Sequence, residues 1–168
     1  GDWANAAIYA ESVIKKYPLR SGSEYRTMIE TGSLRDGNIL FRGGALSDDE
    51  ADQDSFNDIR VLSSRPVSAS FVNLFAEKEN DVRYSMSFSK KRVLKKRLIS
   101  GIRSAEMQLI LAESLYHSGK EQAALEALNE LRRNRIEGVA DYTMETLPAV
   151  DKDARVTEDV YGEPLTPL

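Results

Sequence analysis

The sequence predicts a mainly α-helical chain in which helices at both ends flank a mixed region with short strands. Apolar residues recur every three or four positions over residues 2–17, which is the period of an amphipathic helix. Residues 104–134 carry two more apolar segments, and only Gly119 and Lys120 separate them. Because a linker this short joins antiparallel helices, residues 104–134 are expected to form a helical hairpin.

The first helix is predicted to begin after Asp2, a typical N-cap residue, and to end before Pro18. Its apolar face consists of Trp3, Ala6, Ala7, Ala10, Val13, Ile14 and Tyr17. Since small residues dominate this face, we expect another helix to pack closely on it. That neighbour is expected to precede residue 1, which would leave the face uncovered in this chain and favour self-association or fraying.

Residues 19–103 are predicted to be an irregular insert with short elements. Residues 38–42 have the composition of a short strand, and residues 70–78 that of a short helix. Tyr84, Met86 and Phe88 alternate with serines, which is typical of a strand.

Two charged segments lie within this insert. Residues 48–58 contain six acids, but a calcium loop counted from Glu50 would need glycine at Ser55 and glutamate at Val61. A solvated acidic loop is therefore favoured over a calcium site. Residues 90–103 contain seven basic residues and no acid, which fits a phosphate-binding patch or, as we favour, a solvated strand pair or turn.

The predicted hairpin consists of an apolar helix that Gly119 ends and a second helix with Ala124, Leu125, Leu128 and Leu131 on one face. His117 is interpreted as a helix-end residue, where a cation is favoured, and Trp3 and Tyr116 as structural residues. Residues 137–168 hold three of the five prolines and are predicted to be an extended tail.

Composition excludes several classes of active site. The chain has no cysteine and one histidine, so cysteine nucleophiles, thiolate zinc sites and multi-histidine metal centres are excluded. The net charge of −4 argues against nucleic-acid binding, and no apolar run approaches the roughly 18 residues of a membrane span. No catalytic residue, cofactor or metal ligand is predicted.

The two helical regions share an internal repeat. Gly119, Ala124, Leu128 and Ile136 have the same spacings as Gly1, Ala6, Ala10 and Pro18. Both segments resemble tetratricopeptide units. Residues 1–18 correspond to the second helix of one unit, and residues 104–136 to a complete helical hairpin, with residues 19–103 inserted between them.

This arrangement resembles the SusD/RagB family. The segments that carry the resemblance are WANAAIYAESVIKKYPL, NILF, FVNLFAEKENDVRY with its Asp81 and Arg83, and, most specifically, RSAEMQLILAESLYHSGKEQAALEALNELRRNRI. The run TEDVYGEPLTPL is similar to the one that precedes the family's Glu-Arg-Arg and Arg-Trp motif, which these residues lack. The chain therefore resembles an internal fragment of a single SusD-like domain.

The resemblance implies a non-enzymatic protein that binds oligosaccharide or polysaccharide on the surface of the outer membrane. It also implies delivery to a SusC-like TonB-dependent porin, and a lipid anchor outside these 168 residues. The family grips glycans with aromatic residues on loops, because sugar C–H faces stack on rings. The candidates on irregular segments are Tyr25, Phe56, Tyr142 and Tyr161.

Two other functions remain open from the sequence. One is a tetratricopeptide-like scaffold for protein–protein interaction, although a plain scaffold would not carry the insert. The other is a hydrolase with a carboxylate pair, for which the 27 acidic residues give no informative spacing.

Overall fold

The computed structural model describes residues 1–31, 38–42, 67–93 and 101–148. Within these ranges it contains six helices and one two-stranded sheet, so the predicted mainly α fold is confirmed. In chain order the elements are α1 (Trp3–Lys16), α2 (Gly22–Thr31), β1 (Ile39–Arg42), α3 (Ala69–Asn73), α4 (Val82–Ser87), β2 (Gly101–Arg103), α5 (Ser104–His117) and α6 (Glu121–Arg133).

The chain divides into two compact units. The first comprises residues 1–43 and 99–148, and the second comprises residues 44–98 and 149–168. The acidic segment 48–58, most of the basic segment beyond Val93, and residues 149–168 of the predicted tail lie outside the described residues.

Helix α1 begins and ends where the sequence predicts. The Asp2 carboxylate accepts a hydrogen bond from the Asn5 side chain at 2.7 Å and one from the Asn5 backbone amide at 3.2 Å, and these two bonds lower the pKa of Asp2. The helix ends at Lys16, just before Pro18, which favours an extended residue in front of it.

The neighbour of α1 differs from the prediction. Helix α5 packs along α1, and α6 packs along the same α5, so α5 lies between the two. Trp3 near the start of α1 stacks on His117 near the end of α5, which makes these two helices antiparallel. The expectation that the α1 face lacks a partner in this chain was wrong, because the partner begins at Ser104, after the 87 residues 17–103 that follow α1.

The predicted hairpin and the first predicted strand are present. Helix α5 ends at His117, and Gly119 has a φ of 73°, a left-handed conformation that glycine adopts without strain. Strand β1 pairs antiparallel with β2, with a bulge between Ile39 and Phe41. The Ser104 amide donates to the Asn38 carbonyl at 3.0 Å, so the start of α5 is joined directly to this sheet.

Helix α2 was not predicted, although it carries a helical signal. Its buried residues Tyr25, Met28 and Ile29 have helical spacing. Arg135, which follows α6 and is itself buried, donates to the Arg20 carbonyl at 2.5 Å and places its guanidinium 4.1 Å from the centre of the Tyr25 ring. One buried arginine therefore connects the end of the hairpin to α2.

The second unit contradicts the strand predicted at Tyr84, Met86 and Phe88. Residues 82–87 form helix α4, and Asp81 caps it by accepting from the Arg83 amide at 2.8 Å. Tyr84 and Phe88 are four residues apart, so one helical turn brings both rings against Phe75. An alternation over five residues did not distinguish a strand from a helix here.

The close contact of α1 with α5 makes a testable prediction at Ala10, which is 2% exposed. Ala10→Leu adds three carbon atoms where no room exists, and we expect a loss of about 1–3 kcal/mol in the free energy of unfolding. Ala4→Leu makes the same change at an exposed position of the same helix and should leave stability nearly unchanged. Urea denaturation followed by circular dichroism measures both. An Ala10→Leu chain as stable as the Ala4→Leu chain would contradict the packing.

Candidate functional site

Two of the four candidate glycan-binding residues lie within the described residues. Tyr25 and Tyr142 are described, whereas Phe56 and Tyr161 lie outside. Tyr25 and Tyr142 differ in how much of each residue is exposed to solvent. Tyr25 is 5% exposed and its ring is covered by Arg135, so it has no open face on which a sugar could stack.

Tyr142 is half-buried and is held in place from helix α6. The Asn129 side-chain amide donates to the Tyr142 carbonyl at 2.9 Å, and the Tyr142 amide donates to Asn129 Oδ1, also at 2.9 Å. Arg132 donates to the Ala140 carbonyl at 3.1 Å and places its guanidinium 3.9 Å from the centre of the Tyr142 ring. The described part of the predicted tail is therefore fastened to the hairpin around this residue.

The roles of Asn129 and Arg132 were not predicted from the sequence, although their positions in the helical pattern indicated them. Both lie on the buried face of α6, at positions that continue the helical spacing of Leu125. A polar side chain on the buried face of a helix needs a hydrogen-bond partner. Here the partners are backbone groups of residues 140–142.

A network of exposed ion pairs centres on Arg133. Its guanidinium contacts Asp141 at 2.7 Å, Glu126 at 2.8 Å and Glu130 at 3.0 Å. The hydrogen bond from Arg133 lowers the pKa of Asp141, and the same contacts raise the pKa of Arg133. This network adds a second connection between α6 and the segment that carries Tyr142.

A cluster of three rings lies where α1 begins and α5 ends; we call it the Trp3 cluster (Trp3, Tyr116 and His117). The Trp3 and His117 rings stack with their centres 4.2 Å apart and their planes 15° apart, and Tyr116 contacts His117 edge-on at 5.7 Å. His117 is in the last turn of α5, as predicted. Tyr116 was interpreted as structural, but 59% of it is exposed, and the Trp3 cluster therefore presents aromatic surface to solvent.

The described part of the second unit contains an aromatic cluster that supports its own fold. Phe71, Phe75, Tyr84 and Phe88 form one cluster, in which every pair except Phe71 and Tyr84 has ring centres 5.6 to 6.3 Å apart. Beside them the buried Asp81 accepts three hydrogen bonds from the Arg83 guanidinium, at 3.0, 3.2 and 2.6 Å, in addition to that from the Arg83 amide. The Asp-x-Arg pair thus caps a helix and is paired internally.

Other chemistry has little support in the described part of the chain. A shallow depression of about 270 Å³ is lined by Arg20, Ser23, Glu24 and Thr27. Across the described ranges no group of three or more histidine, aspartate or glutamate side chains is placed to hold a metal ion. None of the described helices is long and apolar enough to cross a membrane.

Comparison with known proteins gives no relative: no family model, no curated protein and no solved structure matches the chain.

The contact between Asn129 and Tyr142 predicts a local effect on backbone protection. Asn129→Ala removes both hydrogen bonds, and at a net value of about 1 kcal/mol for a bond we expect the Tyr142 amide to exchange about fivefold faster. Asn129→Asp keeps the acceptor for that amide and should preserve most of its protection. Hydrogen exchange followed by NMR gives the rates. Equal exchange rates of the Tyr142 amide in Asn129→Ala and in the wild type would show that Asn129 does not hold this segment.

A second prediction concerns the pH dependence of Asp141. Its pKa lies below the ordinary value of 3.8, so the pair with Arg133 contributes stability above that pH and loses it as the pH falls through the lowered pKa. Arg133→Gln should return the Asp141 pKa towards 3.8. Lys120→Gln removes an exposed charge at the other end of α6 and should leave the Asp141 pKa unchanged. Carboxyl carbon NMR titration measures each pKa, and equal values in both variants would contradict the assignment.

Proposed function

We propose that the chain is part of a non-enzymatic oligosaccharide-binding protein of the outer-membrane surface, which works with a SusC-like TonB-dependent porin. The observation that carries this proposal is the packing of α1 and α6 on the two sides of α5. The resemblance to the SusD/RagB family requires residues 1–18 and 104–136 to belong to one helical array across the insert. Contact between α1 and α5 is what such an array needs.

Exposed aromatic surface supports a carbohydrate ligand. The Trp3 cluster presents the Tyr116 ring, and Tyr142 is half-buried and held by Asn129 and Arg132. Sugar rings offer C–H faces that pack on such surfaces, and rings fixed beforehand bind with a smaller loss of conformational entropy. Because Trp3 is the single tryptophan, its fluorescence reports on ligands at the Trp3 cluster.

The proposal includes no catalytic step. Asp81 and Asp141 in the described residues are each bonded to an arginine. The hydrogen bond from Arg133 lowers the pKa of Asp141, which makes that carboxylate a poor general acid. Attachment to the outer membrane would come from a lipid anchor outside these residues.

The alternative is a tetratricopeptide-like scaffold that binds a protein partner. Exposed apolar side chains on α5, Leu109 and Tyr116, favour it. The two functions differ in their ligand, so a direct binding experiment separates them.

Binding of sugars is tested by titrating the chain with a panel of α- and β-linked oligosaccharides, followed by calorimetry and Trp3 fluorescence. We expect saturable binding of at least one sugar with a dissociation constant on the order of 1 mM, since few rings take part. Chromatography of the mixture should show the sugar intact.

Variants locate the site. Tyr116→Ala should abolish the fluorescence change if the Trp3 cluster binds the sugar, whereas Tyr142→Ala should abolish calorimetric binding if Tyr142 does. Tyr9→Ala removes an exposed ring outside both places and serves as the control. The proposal fails if no oligosaccharide binds, or if a sugar is cleaved.

A further inference from the structure

Helix α5 has its polar and apolar residues distributed in an unusual way. Its most buried residues are polar: Ser104 and Ser114 have no exposed surface, and Gln108 is 3% exposed. Large apolar residues lie outside, with Leu109 at 45% and Tyr116 at 59% exposure. A buried polar face together with an exposed apolar one is informative, because solvent-facing helix sides are normally polar.

Two exposed apolar residues and two half-buried alanines form a regular stripe, which we call the α5 stripe (Ala105, Leu109, Ala112 and Tyr116). Their successive spacings of four, three and four residues are those of the a and d positions of a coiled coil. Small residues alternate with large ones, so the alanines leave room for side chains of a facing helix. The α5 stripe therefore has the pattern of a surface that receives a helix.

Charge beside the α5 stripe indicates what kind of helix it receives. Glu106 and Glu113 are exposed and each follows an alanine of the stripe, which places both at the same flanking heptad position. Charges at flanking positions select the partner in coiled coils. Two glutamates on one edge favour a partner with lysine or arginine opposite them.

We propose that the α5 stripe docks a basic amphipathic helix of a partner protein. A second copy of this chain fits less well. In an antiparallel pair of stripes, Glu106 and Glu113 of one copy would lie opposite Glu113 and Glu106 of the other, and these like charges would repel each other. The same carboxylates oppose binding to an anionic lipid surface. Helix α5 has 14 residues and is therefore about 21 Å long, which suits a partner helix of about two heptads.

The experiment uses the 168-residue chain and three synthetic peptides of equal length. The first has leucine at a and d and lysine at the flanking positions, the second has glutamate in place of each lysine, and the third has the first composition in a scrambled order. Fluorescence anisotropy of labelled peptides gives the affinities. We expect the first peptide to bind at least about tenfold more tightly than either other, since both the apolar seam and the opposite charges are needed.

A charge reversal tests the location. Glu106→Lys combined with Glu113→Lys should lower the affinity for the basic peptide about tenfold and raise the affinity for the acidic one. Binding of the acidic peptide would also show that the variant is folded. Glu137→Lys with Glu145→Lys changes the net charge equally at exposed positions outside α5 and should leave the preference unchanged. The proposal is overturned if the scrambled peptide binds as tightly as the basic one, or if the basic peptide does not bind at all. It is also overturned if both double variants reverse the preference for the basic over the acidic peptide. Self-association that Leu109→Ser abolishes, measured by analytical ultracentrifugation, would assign the stripe to a second copy instead.

Discussion

Contact between α5 and two helices at once is the constraint on which the first unit depends. Residues 17–103 separate α1 from α5, and closing a loop of this length costs roughly 4 kcal/mol in chain entropy. Burying two or three large apolar side chains offsets a cost of that size, at roughly 1.5–3 kcal/mol each. On the α1 face Trp3, Val13 and Ile14 are half-buried and each contribute part of that amount, while the buried Ala10 lets the helices approach. Since α6 follows α5 after two residues, its position is fixed by the same contact.

Arginines at the end of α6 then attach the remaining segments of this unit. Arg135 reaches back to α2, and Arg132 and Arg133 hold residues 140–142. A guanidinium suits this role because it donates in several directions within one plane and stacks on aromatic rings, as on Tyr25 and Tyr142. Three neighbouring residues of one chain segment thus organise parts of the chain that are far apart in sequence.

The sequence predicted those elements whose signal is local and repeated. Helix α1, the hairpin and β1 have strong periodicity or clear end signals. The partner of α1 could not be predicted, because an apolar face specifies that something packs on it and not which segment does. The helix at residues 82–87 was mistaken for a strand since five residues span little more than one helical turn. At the candidate site, an aromatic residue on an irregular segment was a poor guide to exposure: Tyr25 lies within a helix and is buried, while Tyr116 on a predicted helix is exposed.

Sugar binding at the Trp3 cluster and helix docking on the α5 stripe would use one residue in common. Tyr116 belongs to the Trp3 cluster and to the α5 stripe, and an aromatic ring presents only two faces. A helix docked over Leu109 and Tyr116 covers surface that a sugar at the Trp3 cluster would need, so the two ligands compete there and each lowers the apparent affinity of the other. Tyr142, held by Asn129 on α6, is not part of the stripe. A sugar bound there would be compatible with a docked helix. Competition, or its absence, therefore indicates which of the two aromatic sites receives the sugar.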